Sequence, residues 1–159
     1  MIKIVLILTL SAVISSAWFV VPTFGYNSSD STNIDENFVR DDKQEVVIDK
    51  KNAKMYYDST PCRKMHFIRA WSYCRKLNYL DKTDWRVPTK DEARDLLELS
   101  RPNIKSKHAF KNAQRDIYWT STEFRSDSGW YVDFDLGRYS THNFEKLHRV
   151  ICVRDILKD

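Results

Sequence analysis

The chain has 159 residues, 42% hydrophobic and 13% aromatic, with 26 Lys and Arg against 22 Asp and Glu, a formal net charge of +4. That length and apolar content fit one domain with a real core, built mainly from five Trp, eight Tyr and eight Phe. Only three glycines are present, which excludes collagen-like, low-complexity and Gly-rich phosphate-loop readings.

In chain order, Met1-Ile2-Lys3 is a short positive start, and Ile4 to Ile14 is an apolar run broken only by Thr9 and Ser11. Ser15-Ser16-Ala17 offers a small-residue cleavage site before Trp18, and a second follows Gly25. Residues 1–25 therefore read as a secretory signal peptide. Because no charge intervenes between Lys3 and Asp30, an uncleaved membrane anchor is the rival reading. Either way the rest of the chain is expected outside the cytoplasm: periplasmic, secreted, or tethered at the cell surface. That compartment argues against a nucleic-acid partner. Any membrane contact is expected only through an uncleaved N-terminal segment. From residue 38 onward the chain carries 25 bases and 19 acids, a net +6. Such a surface suits either an acidic partner or simple solubility.

Residues 26–44 are polar with few apolar anchors and read as a flexible linker, so the domain is expected over 45–155. Val46-Val47-Ile48 reads as a strand, Asp49 to Asn52 as a turn, and Met55-Tyr56-Tyr57 as the returning strand. Over residues 66–80, Phe67, Ala70, Trp71, Cys74 and Leu77 recur at helical spacing and predict one apolar face. In Pro88-Thr89-Lys90-Asp91-Glu92, Thr89 is the predicted N-cap and Glu92 completes a capping box. The helix it opens carries Ala93, Leu96 and Leu97 inward and stops before Pro102. Ile117 to Thr122 is β-rich. From Trp130, alternation predicts a strand with Trp130, Val132, Phe134 and Leu136 on the core face and Tyr131, Asp133 and Asp135 opposite. Tyr139 to Phe144 can pair back, and Val150 to Arg154 is a final strand. Strands, two helices and then strands argue an α+β fold with two helices packed on a mostly antiparallel sheet. Three cysteines, Cys62, Cys74 and Cys152, leave three pairings open, with two expected to join in an oxidising compartment and one left over.

Five ordered blocks carry a resemblance: Ala70-Trp71-Ser72-Tyr73-Cys74; Asp84 to Glu92; Tyr118-Trp119-Thr120-Ser121-Thr122; Gly129 to Phe134; and Val150-Ile151-Cys152-Val153-Arg154. Together they resemble the Lcl C-terminal domain family, from about Val46 to Arg154. The resemblance implies a fold similar to C-type lectin-like and formylglycine-generating-enzyme-like domains. Some members of that family end collagen-like bacterial adhesins that bind sulfated polysaccharides; many others are lone exported proteins. It also implies that Cys74 pairs with Cys152, which leaves Cys62 unpaired. The Glu-Pro-Asn and Trp-Asn-Asp signatures of calcium-dependent sugar-binding lectins are absent, as is the formylglycine-generating cysteine pair, so neither chemistry carries over.

No nucleophile–base pair is evident. Asp84-Trp85-Arg86 reads as structural, with the Trp in the core and the two charges satisfying each other or nearby backbone. Thr120-Ser121-Thr122 lacks a nucleophile elbow. His142 and His148 flank Glu145 without metal-ligand spacing, and Asp133 and Asp135 are only weak calcium candidates; no metal and no cofactor are expected. The residues best placed to bind a ligand are Arg138, His142, Lys146, His148 and Arg149, after the last hairpin, where cations can meet sulfate or carboxylate. Tyr131 and Tyr139 add stacking surface. The competing account of this run is a solvated charged loop. The expected function is a non-catalytic, adhesin-like binding module for an anionic or sulfated glycan or a surface partner. The alternatives are an assembly protein of the envelope and, third, an enzyme.

Overall fold

A computed structural model describes residues 35–59 and 63–156. The N-terminal hydrophobic run, residues 26–34 of the polar linker and Cys62 lie outside the described residues. Among the described residues no helix is long and apolar enough to cross a membrane.

Two antiparallel sheets and two short helices form the α+β fold. The first sheet, in the order β1-β2-β3-β7, joins β1 (Phe38–Asp41), β2 (Val46–Asp49), β3 (Lys54–Tyr57) and β7 (Cys152–Asp155). The second, β4-β5-β6, joins β4 (Ile117–Arg125), β5 (Ser128–Asp133) and β6 (Arg138–Asn143). Sequence reasoning expected one sheet. The division arises because β7 pairs with β3, while β4 meets the segment before β7 only through a single parallel bridge, Tyr118 to Arg149.

The linker also ends earlier than expected. Phe38 is buried, and β1 pairs along β2 from Phe38 opposite Asp49 to Asp41 opposite Val46. One apolar pair, Phe38-Val39, gives no period to read in the sequence; the strand exists because β2 supplies its partner. Asp49, itself buried, turns the chain from β2 to β3 by accepting the Lys51 and Asn52 N–H groups at 3.0 and 3.1 Å.

α1 (Phe67–Lys76) buries Phe67, Ala70 and Cys74. It is shorter than the periodic stretch, and Trp71, expected inward, is 37% exposed. α2 (Lys90–Asp95) starts as predicted: Thr89 Oγ1 accepts the Glu92 N–H at 3.3 Å and a Glu92 carboxylate oxygen accepts the Thr89 N–H at 2.8 Å. It runs only six residues, far short of Pro102.

The helices pack on opposite faces of the second sheet, because successive β-strand side chains point to opposite sides. Phe67 of α1 meets Trp119 edge-on at 5.3 Å and stacks on Phe144 at 4.2 Å. Gly129 lies beneath it: a Cβ there would stand 2.5 Å from the Phe67 ring, so only glycine fits. Ala93 of α2 and Leu96, its C-cap, share the other cluster with Tyr118, Val132 and Phe134. The alternation read from Trp130 onward therefore holds as a period, but burial does not follow it. Tyr131 and Asp133 are buried as well, since both faces are covered, and Leu136 is 58% exposed in the turn. Cys74 in α1 is bonded to Cys152 in β7.

Candidate functional site

The post-hairpin residues do not form one surface. Arg138 and Lys146 are exposed. Tyr131 and His148 are buried, so neither can meet a ligand, which corrects the loop-display reading. His148 is drawn inside because its backbone is bridged to Met65 in both directions, N–H to O at 3.0 and 2.8 Å. Its ring sits 4.4 Å from Trp119 and 5.0 Å from His142. His142 Nδ1 and His148 Nε2 share a hydrogen bond of 2.8 Å, and Tyr131 packs 4.4 Å from the His142 ring. Arg149 is half-buried and bonds Asp116 through Nε at 2.9 Å. Only Arg138, Lys146, Tyr139 and in part His142 remain reachable.

Burial, and then the proximity of His142, push the His148 imidazole down to about 4. His142 is lowered too, first by burial and then by Lys146 and Arg138. The sign follows directly. A native value below that of the free imidazole means stability is complete above about pH 6.5 and falls as acid charges the unfolded chain first. His148 should cost about 2 kcal/mol on going from pH 7.5 to 4.5, after allowance for screening on the His142 side. Urea midpoints at the two pH values, wild type against His148→Gln, measure it. An equal acid loss in both proteins would refute the assignment.

The carboxylates weighed for calcium are committed elsewhere. Asp133 Oδ1 accepts the Asp135 and Leu136 N–H groups at 2.9 and 3.0 Å and holds the β5–β6 turn. Asp135 receives Arg115 Nε at 2.8 Å. Among the described residues no three His, Cys, Asp or Glu side chains converge as a metal site requires. The two threonine hydroxyls of the Thr-Ser-Thr run are likewise engaged: Thr120 donates to the Trp130 carbonyl at 2.9 Å, and Thr122 accepts the Lys90 N–H at 2.9 Å.

The strongest ligand-facing surface is α1. Between Asp58 and Asp81 the sequence holds Arg63, Lys64, Arg69, Arg75 and Lys76 and no acidic residue. Helical periodicity turns Phe67, Ala70 and Cys74 to the core and leaves Arg69, Arg75 and Lys76 exposed. Lys64 is balanced by Asp116 at 2.8 Å, whereas among the described residues no carboxylate lies within ion-pair distance of Arg69, Arg75 or Lys76. Two grooves of about 570 Å³ each flank the helix. One is lined by Arg63, Lys64, Arg69 and Lys76 with Tyr73 and Leu77. The other is lined by Arg75 and Lys76 with Ile68, Trp71 and Glu123. The one-sided charge over these residues and the placement of Arg69, Arg75 and Lys76 off the apolar helix face were legible in the sequence; the two grooves that flank the helix were not.

The profile of the Lcl C-terminal domain family matches residues 37–154. The chain belongs to that family. The match takes in β1, in agreement with the earlier start of the folded region. No curated relative matches the chain. The blocks that carry the Lcl C-terminal domain resemblance serve the fold. Trp85 and Trp119 are core, and Cys74 bonds Cys152. Asp84 and Arg86 do not pair with each other: Asp84 takes Arg154 Nε at 2.8 Å, and Arg86 takes Glu92 at 2.7 and 2.8 Å.

Proposed function

We propose that this Lcl C-terminal domain is an exported, non-catalytic, lectin-like module that binds an anionic polysaccharide along α1. The observation that carries the reading is the acid-free basic face of that helix, with Arg69, Arg75 and Lys76 exposed and unpaired with carboxylates among the described residues beside two open grooves. Unbalanced guanidinium and ammonium groups on a rigid helix suit repeated sulfate or carboxylate groups, and the grooves are open enough for a polymer to lie along them. The disulfide and the apolar N-terminal run support an oxidising, extracytoplasmic compartment.

Retention of the full chain on a sulfated polysaccharide column tests it. Arg69→Ala with Arg75→Ala and Lys76→Ala should weaken binding at least ~10-fold, the loss of about 1.4 kcal/mol or more of contact energy. Wild-type binding should itself fall with added salt. Arg138→Ala with Lys146→Ala should change it by less than about twofold. The opposite ranking would return the site to the β6 loop. Absence of binding to any polyanion would favour an envelope protein as partner.

A further inference from the structure

The β4–β5–β6 sheet has one end that no helix covers. α2 lies over Tyr118 and Val132 but spans only Lys90–Asp95. Beyond its first residue three rings line up across the strands: Phe124 from β4, Trp130 from β5 and Tyr139 from β6. Phe124 and Trp130 have centroids 5.7 Å apart, and Trp130 and Tyr139 6.0 Å. Phe124 is 48% exposed and Tyr139 44%, with Trp130 partly exposed between them. The register fixes their common side: Tyr139 stands opposite Val132, and Trp130 lies two residues before Val132 on the same face. Phe67 of α1 packs against Trp119 on the other face, so the strip is distinct from the basic helix.

Cations sit directly on these rings. Lys90 Nζ is 4.6 Å from the Trp130 centroid and the Arg125 guanidinium 5.0 Å from that of Phe124. Neither has an ion-pairing carboxylate among the described residues. Glu123 turns to the α1 groove instead. Three side chains are too small a patch for a stable protein interface, which takes about 800 Å² from each partner. Rings with cations over them match a ligand that has both an apolar ring face and an acidic substituent.

We propose that Phe124, Trp130 and Tyr139, with Lys90 and Arg125, form a saccharide subsite for an acidic sugar ring. The ring stacks on the aromatic strip, and its carboxylate or sulfate meets the two cations. This inference stands apart from the α1 reading, because a polyanion without rings could satisfy α1 but not the strip.

Calorimetry on the full chain separates them, with three probes: oligogalacturonate, a sulfated dextran oligosaccharide, and linear inorganic polyphosphate. Phe124→Ala with Tyr139→Ala removes two exposed rings and leaves Trp130 in place; near-ultraviolet circular dichroism checks the fold. The double variant should bind at least one of the two acidic sugars ~10-fold more weakly, equivalent to about 1.4 kcal/mol, and the sugar affected identifies carboxylate or sulfate. Polyphosphate binding should be unchanged. The α1 triple variant should lose polyphosphate and keep the ring-dependent component. Wild-type affinity of the double variant for both sugars would overturn the proposal. So would an equal loss toward polyphosphate, no wild-type binding of either sugar, or a wild-type dimer abolished by the two substitutions. Failure of the α1 reading shows separately, as wild-type polyphosphate binding in the triple variant.

Discussion

Replacing Cys74 and Cys152 together by alanine should lower the unfolding free energy by about 4–5 kcal/mol, the loop-closure value for a large loop. The bridge spans 78 residues and ties the last turn of α1 to β7, the strand that completes the first sheet. The closed loop contains α2 and the whole second sheet, so the unfolded chain is freed of a long-loop constraint when the bond is lost. Both residues are within the core, at 0% and 1% exposure, and neither replacement leaves an unsatisfied polar group. For a domain of ordinary stability, about 5–15 kcal/mol, this is a large share. Urea denaturation of the double variant, and of wild type with reductant, measures it. A change below about 1 kcal/mol in both would mean that the unfolded chain is already held compact by other contacts.

The second large effect is expected at Glu92. Its carboxylate binds Arg86 at 2.7 and 2.8 Å, accepts the Thr89 N–H at 2.8 Å and lies 3.1 Å from Lys54 Nζ. Asp155 of β7 joins the cluster through both Lys54 and Arg86. One side chain thus joins the start of α2 to β3 and to the edge of β7. Burial pushes the Glu92 carboxyl up, but Arg86, the Thr89 N–H and Lys54 outweigh it and hold it down at about 2. Glu92→Ala should cost about 3 kcal/mol near pH 7, because it leaves two half-buried cations facing each other and opens the cap. Glu92→Gln, which can still close the capping box, should cost about 2 kcal/mol. A native value below the unfolded 4.5 places this contribution in full above pH 4.5, to be lost as pH falls toward about 2. Denaturation curves of wild type and both variants at pH 7 and pH 3 test the pattern. A difference between wild type and Glu92→Gln that is undiminished at pH 3 would show that the charge is not what matters.

Both effects lie within blocks recognisable in the sequence, which bears on how far reading alone reached. Thr89 and Glu92 are three residues apart, and a capping box is a local hydrogen-bond exchange, so the start of α2 was legible. Its end was not. Leu96 to Ser106 leaves the helix because the Glu98 and Lys107 N–H groups donate to the Lys105 and Leu96 carbonyls instead, partners set by the tertiary fold. The Cys74–Cys152 pairing came from family resemblance; the three cysteines alone left it open. β1 escaped because a four-residue edge strand has too few apolar positions to show a period.

The ligand-facing surface divides in the same way. The sequence by itself determined the family, the mixed α+β class, the start of α2 and the acid-free basic run from Arg63 to Lys76, because these depend on residue type and on neighbours a few positions away. Tertiary structure alone decided which of the charged and aromatic residues reach solvent. The Met65–His148 bridge carries His148 into the core. Coverage of the second sheet on both faces buries Tyr131 beside exposed Tyr139. Only the brevity of α2 leaves Phe124 and Trp130 open at the sheet's end. Alternation along a strand tells which side chains share a face, but whether that face meets water depends on what packs over it, and those packing segments are distant in the chain.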